Sequence, residues 1–137
     1  MKRTCSIIIV LLILSFTMTA CKNDTSVKNI NAEYFTISYG SSLYDGQDKC
    51  EPKMVDLLVN DYNSIELVGT TNQDINLDKS ICITFINKDK ISGQVTVDDK
   101  GVCHIEDRPN NYIIDTNSKL YKDAKKVYED IKEKYRS

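Results

Sequence analysis

The stretch 81-ICITFINKDKISGQVTVDDKGVCHI-105 decides the fold. Ile81, Ile83 and Phe85 alternate with Cys82 and Thr84, and Ile91, Gly93, Val95 and Val97 alternate with Ser92, Gln94 and Thr96. A period of two puts each set on its own face of a strand. Lys88-Asp89-Lys90 between the runs reads as a three-residue loop, which pairs Phe85 with Gly93 and Ile83 with Val95. Both apolar faces then coincide, and a one-residue slip would destroy the match. The ring of Phe85 also covers the weak point that Gly93 leaves in its strand. Asp98-Asp99-Lys100-Gly101 reads as a second hairpin turn with a left-handed Gly101. That turn pairs Val97 with Cys103 and Val95 with Ile105, so Cys103 and Ile105 face the core while His104 points the other way.

Working outward, residues 33–39 form a strand in which Phe35, Ile37 and Tyr39 alternate with Thr36 and Ser38. Gly40-Ser41-Ser42 and Asp45-Gly46 read as turns. Met54, Leu57, Leu58 and Tyr62 fall at helical spacing behind Pro52, which suits a first helical position, so a helix is expected over 52–62. Residues 64–70 read as a strand, 72–79 as a loop, 107–110 as a loop around Pro109 and 112–114 as a short final strand. Leu120, Tyr121, Ala124, Val127, Tyr128, Ile131 and Tyr135 make one apolar stripe, predicting a helix over 117–135 with N-caps on offer at Asp115, Thr116, Asn117 and Ser118. Tyr34, Tyr112, Tyr121 and Tyr128 are expected on core faces. The fold class is α+β: an antiparallel meander sheet packed against a short internal helix and a C-terminal helix.

Little in the chain points to chemistry. There is one His, and it follows Cys103 on a strand, so the two side chains face apart and form no activated pair. No zinc spacing, phosphate-cradling glycine loop or nucleophile elbow is present, and Asp45-Gly46-Gln47-Asp48 lacks the ligand spacing of a calcium loop. The expectation is a non-enzymatic domain with no catalytic residue, metal site or cofactor. A net charge of −2 without a basic stripe argues against nucleic acid. The sheet face away from the helices, carrying Thr84, Ile86, Gln94, Thr96 and His104, is the candidate interaction surface. In the expected register Cys82 and Cys103 stand about 9.5 Å apart on opposite faces, beyond the ~7 Å a disulfide tolerates. Cys50 lies in a loop, and two readings stand: three free thiols, or one bridge from Cys50 to Cys82 or Cys103.

The N-terminus carries Lys2 and Arg3, an apolar run over 7–14, and Thr19-Ala20-Cys21. This is the layout of a secretory signal, and its small Ala before Cys resembles the lipobox of bacterial lipoprotein precursors. The resemblance implies cleavage after Ala20, diacylglyceryl attachment to the Cys21 sulfur, and further acylation of the new amine, palmitate being a typical chain. A spanning helix needs about 20 apolar residues, more than this run holds, while a plain secreted protein remains the alternative. Cleavage leaves about 117 of the 137 residues and takes the charge to about −4 by removing Lys2 and Arg3. The expected organisation is a signal peptide over 1–20, lipidated Cys21 with a flexible tether over 21–32, and a single domain over 33–137.

From Ile81 onward, the hairpin run quoted first, then NYIID and SKLYKDAKKVYEDI, resemble the small YhfM-like class of bacterial lipoprotein domains. That resemblance implies an α+β body with no catalytic set to transfer. The resulting expectation is an envelope protein on the outer face of a bacterial membrane, held by lipid through Cys21, whose partner is an unknown envelope protein or a wall component. An inhibitor or immunity lipoprotein acting on a wall-degrading enzyme is the alternative.

Overall fold

The computed structural model describes residues 25–45 and 49–137. Ala20, Cys21 and the rest of 1–24, together with 46–48 and the calcium-loop reading placed there, lie outside the described residues. The element order is β1 (Tyr34–Tyr39), β2 (Ser42–Asp45), α1 (Pro52–Asn63), β3 (Leu67–Thr71), a 3-10 turn (Leu77–Lys79), β4 (Ile81–Asn87), β5 (Lys90–Val97), β6 (Val102–Ile105), β7 (Asn111–Ile114) and α2 (Leu120–Arg136). Among the described residues seven strands make one sheet in the order β2-β1-β4-β5-β6-β7-β3. Every neighbouring pair is antiparallel. The architecture is α+β, as the sequence predicts. The meander runs unbroken from β4 to β7, while the β1–β2 hairpin and β3 attach at opposite edges.

One face of the sheet is the core. Phe35, Ile37, Ile81, Ile83, Phe85, Val95, Val97, Cys103 and Ile105 are buried there. Met54, Val55, Leu58 and Tyr62 of α1 and Leu120, Ala124, Val127, Tyr128 and Ile131 of α2 close over them. Each such large apolar side chain contributes roughly 1.5–3 kcal/mol by leaving water. Leu57, expected on the buried stripe of α1, is instead exposed, and Val55 takes its place. Tyr34 is half-buried on the opposite face of the sheet, since it precedes the inward Phe35.

The first hairpin keeps its expected core pairs, Phe85 with Gly93 and Ile83 with Val95, but not its expected loop. Asn87 pairs with Lys90 across a two-residue turn in which Lys88 and Asp89 both have positive φ, 51° and 59°, as the primed hairpin turn requires. The spare residue is absorbed farther in: the register shifts between Phe85 and Ile86, leaving Ser92 as a bulge whose Oγ donates to the Phe85 carbonyl at 3.3 Å. A bulge reverses the side-chain alternation beyond it. Ile91, expected inward, therefore lies opposite Ile86 on the uncovered face and is 58% exposed. The second hairpin matches its expectation, with Val97 opposite Cys103, Val95 opposite Ile105 and Gly101 at φ 81°.

Three further expectations are corrected. β2 replaces part of a stretch read as turns, because Gly40, at φ 56°, turns the chain in two residues so that Tyr39 pairs with Ser42. Helix α2 begins at Leu120 rather than 117: Asp115 and Ser118 close a turn of their own, the Ser118 N–H donating to the Asp115 carbonyl at 2.9 Å. Lys119 is left as the cap residue, with no side-chain cap bond. Finally, much of the stretch read as a tether belongs to the body. Val27 and Ile30 are buried in the core, and the Asn63 side chain holds Ile30 at both its N–H (2.8 Å) and its carbonyl (3.0 Å).

Gly93 lies under that N-terminal segment. A Cβ there would meet Ile30 Cγ2 at 3.1 Å, Ile30 Cδ1 at 3.2 Å and Tyr62 Cζ at 3.3 Å. Gly93→Val is expected to destabilise by about 1–3 kcal/mol through overpacking, read as a lower urea midpoint at unchanged slope.

Candidate functional site

The face without helices is polar at its centre. Thr84 lies opposite Gln94, Thr96 opposite His104, and Ile86 opposite Ile91. The five candidate residues Thr84, Ile86, Gln94, Thr96 and His104 thus share one face, and all are half-buried between their strand neighbours. Thr36 and Ser38 of β1 extend it on one side and Asn111 of β7 on the other. Cys82 sits among them, its Sγ accepting from Gln94 Nε2 at 3.3 Å. Tyr34, Ile86 and Ile91 line up across three strands as an apolar row at one end of this face. Hydroxyls, an amide and one imidazole beside that row suit hydrogen bonding to a flat partner with an apolar margin.

Cys50, Cys82 and Cys103 are free thiols, which settles the two readings of Cys50. Burial pushes the Cys103 thiol up to about 12 and the Cys50 thiol up to about 11. Thiols held that high are protonated and weakly nucleophilic at neutral pH. Cys103 faces the core while His104 faces the open surface, so no Cys–His pair forms.

A second region was not legible in the sequence. A cleft of about 500 Å³ is lined by Asp61 and Ser64 at the end of α1, Glu66, and Asp115, Asn117, Ser118 and Lys119 before α2. Asp61 Oδ2 is sealed from solvent and finds no donor. Burial first, then the like charge of Asp123, raises Asp61 to about 6, with Lys119 partly offsetting them. When Asp61 is protonated, its carboxyl group and that of Asp123 can meet as donor and acceptor across the helix pair. No local spacing could signal this, because the two residues meet only once α1 and α2 pack together. Among the described residues, no group of three or more His, Cys, Asp or Glu is placed to hold a metal ion.

The pair has a pH signature. An acid whose folded pKa lies above its unfolded value of 3.8 adds stability that is complete below 3.8 and lost as pH rises through about 6. Asp61→Asn is therefore expected to raise stability by about 1 kcal/mol at pH 8, after allowing for solvent screening. At pH 4 it should change little. Urea midpoints at the two pH values check this.

At the opposite side of the molecule, tyrosines fasten α2 to the β1–β2 hairpin. Tyr128 lies 5.7 Å from Tyr39 and 5.3 Å from Tyr44, and Tyr44 lies 5.4 Å from Tyr135, between ring centroids. Lys125 stands over Tyr39 and Lys132 over Tyr128. Lys134 joins the two helices by an ion pair with Glu51 at 2.7 Å. Lys134 and Lys53 hold the Glu51 carboxyl down at about 2.

Comparison with protein-family models, with characterised proteins and with solved structures finds no match. Among the described residues no helix is long and apolar enough to cross a membrane.

Proposed function

We propose that this chain is a bacterial envelope lipoprotein, anchored through acylated Cys21, whose folded body is a non-enzymatic binding module for another envelope protein or a wall component. The observation that carries the binding half is the uncovered sheet face. Its centre is hydroxyl and amide side chains at Thr84, Gln94 and Thr96, and its margin is the apolar row of Tyr34, Ile86 and Ile91. The anchoring half rests on Thr19-Ala20-Cys21 behind an apolar run, four residues upstream of Thr25, whose carbonyl accepts from the Leu67 N–H. Two acyl chains hold a protein on a bilayer stably where one does so marginally.

One feature favours the inhibitor alternative. The tight β4–β5 turn presents Asp89 at an exposed tip, the geometry for placing a carboxylate in an enzyme cleft.

The test is capture from envelope extracts with the intact lipidated protein, beside Cys21→Ala and a Thr84→Glu/Thr96→Glu double variant. The double variant is expected to lose its partner at least tenfold while its circular dichroism stays that of the parent. Loss with Asp89→Asn and retention with the double variant would move the binding surface to the hairpin tip. Equal capture by all variants would refute both surfaces.

A further inference from the structure

The contacts of Thr25 and Ser26 limit where an anchor at Cys21 can lie. The Leu67 N–H donates to the Thr25 carbonyl at 2.8 Å, Ser26 bridges antiparallel to Glu66, and Arg108 donates to the Ser26 carbonyl. The chain therefore joins the body on the outer edge of β3, an edge strand of the sheet. Cys21 is four residues upstream of Thr25, so covalent geometry keeps its Cα within about 14 Å of that point. The sheet is wider than this reach: six strand spacings separate β3 from β2, roughly 29 Å. A bilayer holding the Cys21 sulfur thus lies close to β3, while β2 has room to stand clear of it.

The chemistry of the β3 edge is compatible with that placement. Residues 68–70 of β3 are exposed and uncharged, Val68 being 67% exposed, and nothing crowds the Gly69 Cβ position. A neutral strand edge with one apolar side chain can enter a headgroup layer, where water still serves its backbone groups. Asp61, Glu66 and Asp115 line the cleft beside it against a single cation, Lys119. Anionic headgroups repel this net negative charge, which opposes rolling the cleft onto the membrane. At the far edge Leu43 is 68% exposed, next to the tyrosine cluster.

We infer that the β3 edge, residues 68–71, is the membrane-facing surface of the lipidated protein and that the β2 edge around Leu43 points away from the bilayer. This rests on the lipoprotein reading of Cys21. The experiment is nuclear magnetic resonance of the full chain, produced in a lipidating bacterial host and placed in nanodiscs of anionic lipid doped with a nitroxide-headgroup lipid. Amide signals of residues 68–71 are expected to broaden severalfold more than those of residues 42–44. Mass spectrometry of the same sample reads the thioether-linked glyceride. Lipidated protein in which residues 42–44 broaden as much as 68–71, or more, overturns the orientation alone. Protein without the glyceride overturns the anchoring reading and the orientation with it.

Discussion

Phe85→Ala should lower stability by about 3–5 kcal/mol. The ring is fully buried in β4, stands edge-on to Tyr62 at 5.3 Å between centroids, and lies between Phe35 on β1 and Gly93 on β5. Gly93 has no side chain to move into the space, and Ile30 is pinned above it by Asn63. The void therefore stays open, and its cost adds to the lost transfer energy of the ring. Against a total stability of about 5–15 kcal/mol, a loss of this size leaves the protein marginal. Phe85→Leu, which retains more of the volume, should cost about half as much. Urea unfolding of the two variants checks the order; equal midpoints would mean that the site collapses and that the packing argument is wrong.

Asp98→Ala should cost about 3 kcal/mol for a different reason. Asp98 is only 2% exposed. Its Oδ1 accepts from the Lys100 N–H at 2.9 Å and the Val102 N–H at 3.0 Å, and its Oδ2 accepts from the Asn76 N–H at 3.0 Å. One carboxylate thus satisfies three backbone donors, two in the β5–β6 turn and one in the loop before β4. Charge-assisted bonds of this kind are the stronger ones, and the Val102 N–H, the buried donor of the three, is left without a partner at a cost above the worth of the bond itself. Asp98→Asn separates the contributions. Its carbonyl can replace Oδ1, but its amide meets the Asn76 N–H donor to donor, so about half the loss should remain. Hydrogen exchange should locate it: faster exchange at Asn76 in both variants, and at Val102 only in Asp98→Ala.

Most of the central sheet was legible in the sequence because burial on one face leaves period-two alternation little freedom. Phe85, Ile83 and Val95 could meet in one register, and they do. The same pattern is blind to where a spare residue goes. A three-residue loop and a two-residue loop with a bulge bring Phe85 to Gly93 equally well, and only the backbone tells them apart. Ile91 went to the wrong face for that reason. β2 was illegible on other grounds: in Ser-Leu-Tyr-Asp, the apolar Leu43 is the outward residue and Tyr44 meets helix α2 rather than the sheet core. The tether was overextended because two apolar residues, Val27 and Ile30, three apart in a polar run, carry no periodic signal. The candidate face followed directly from strand alternation, which fixed Thr84, Gln94, Thr96 and His104. The Asp61–Asp123 pair did not follow, since it depends on how two helices distant in sequence are placed on the sheet.

The chain has eight tyrosines and no tryptophan. Four of those tyrosines, Tyr39, Tyr44, Tyr128 and Tyr135, meet where the last helix rests on the first hairpin. The ultraviolet emission and near-ultraviolet dichroism of the native protein are therefore weighted toward that one seam. Detachment of the C-terminal segment can be followed optically, without any label, and told apart from melting of the central strands.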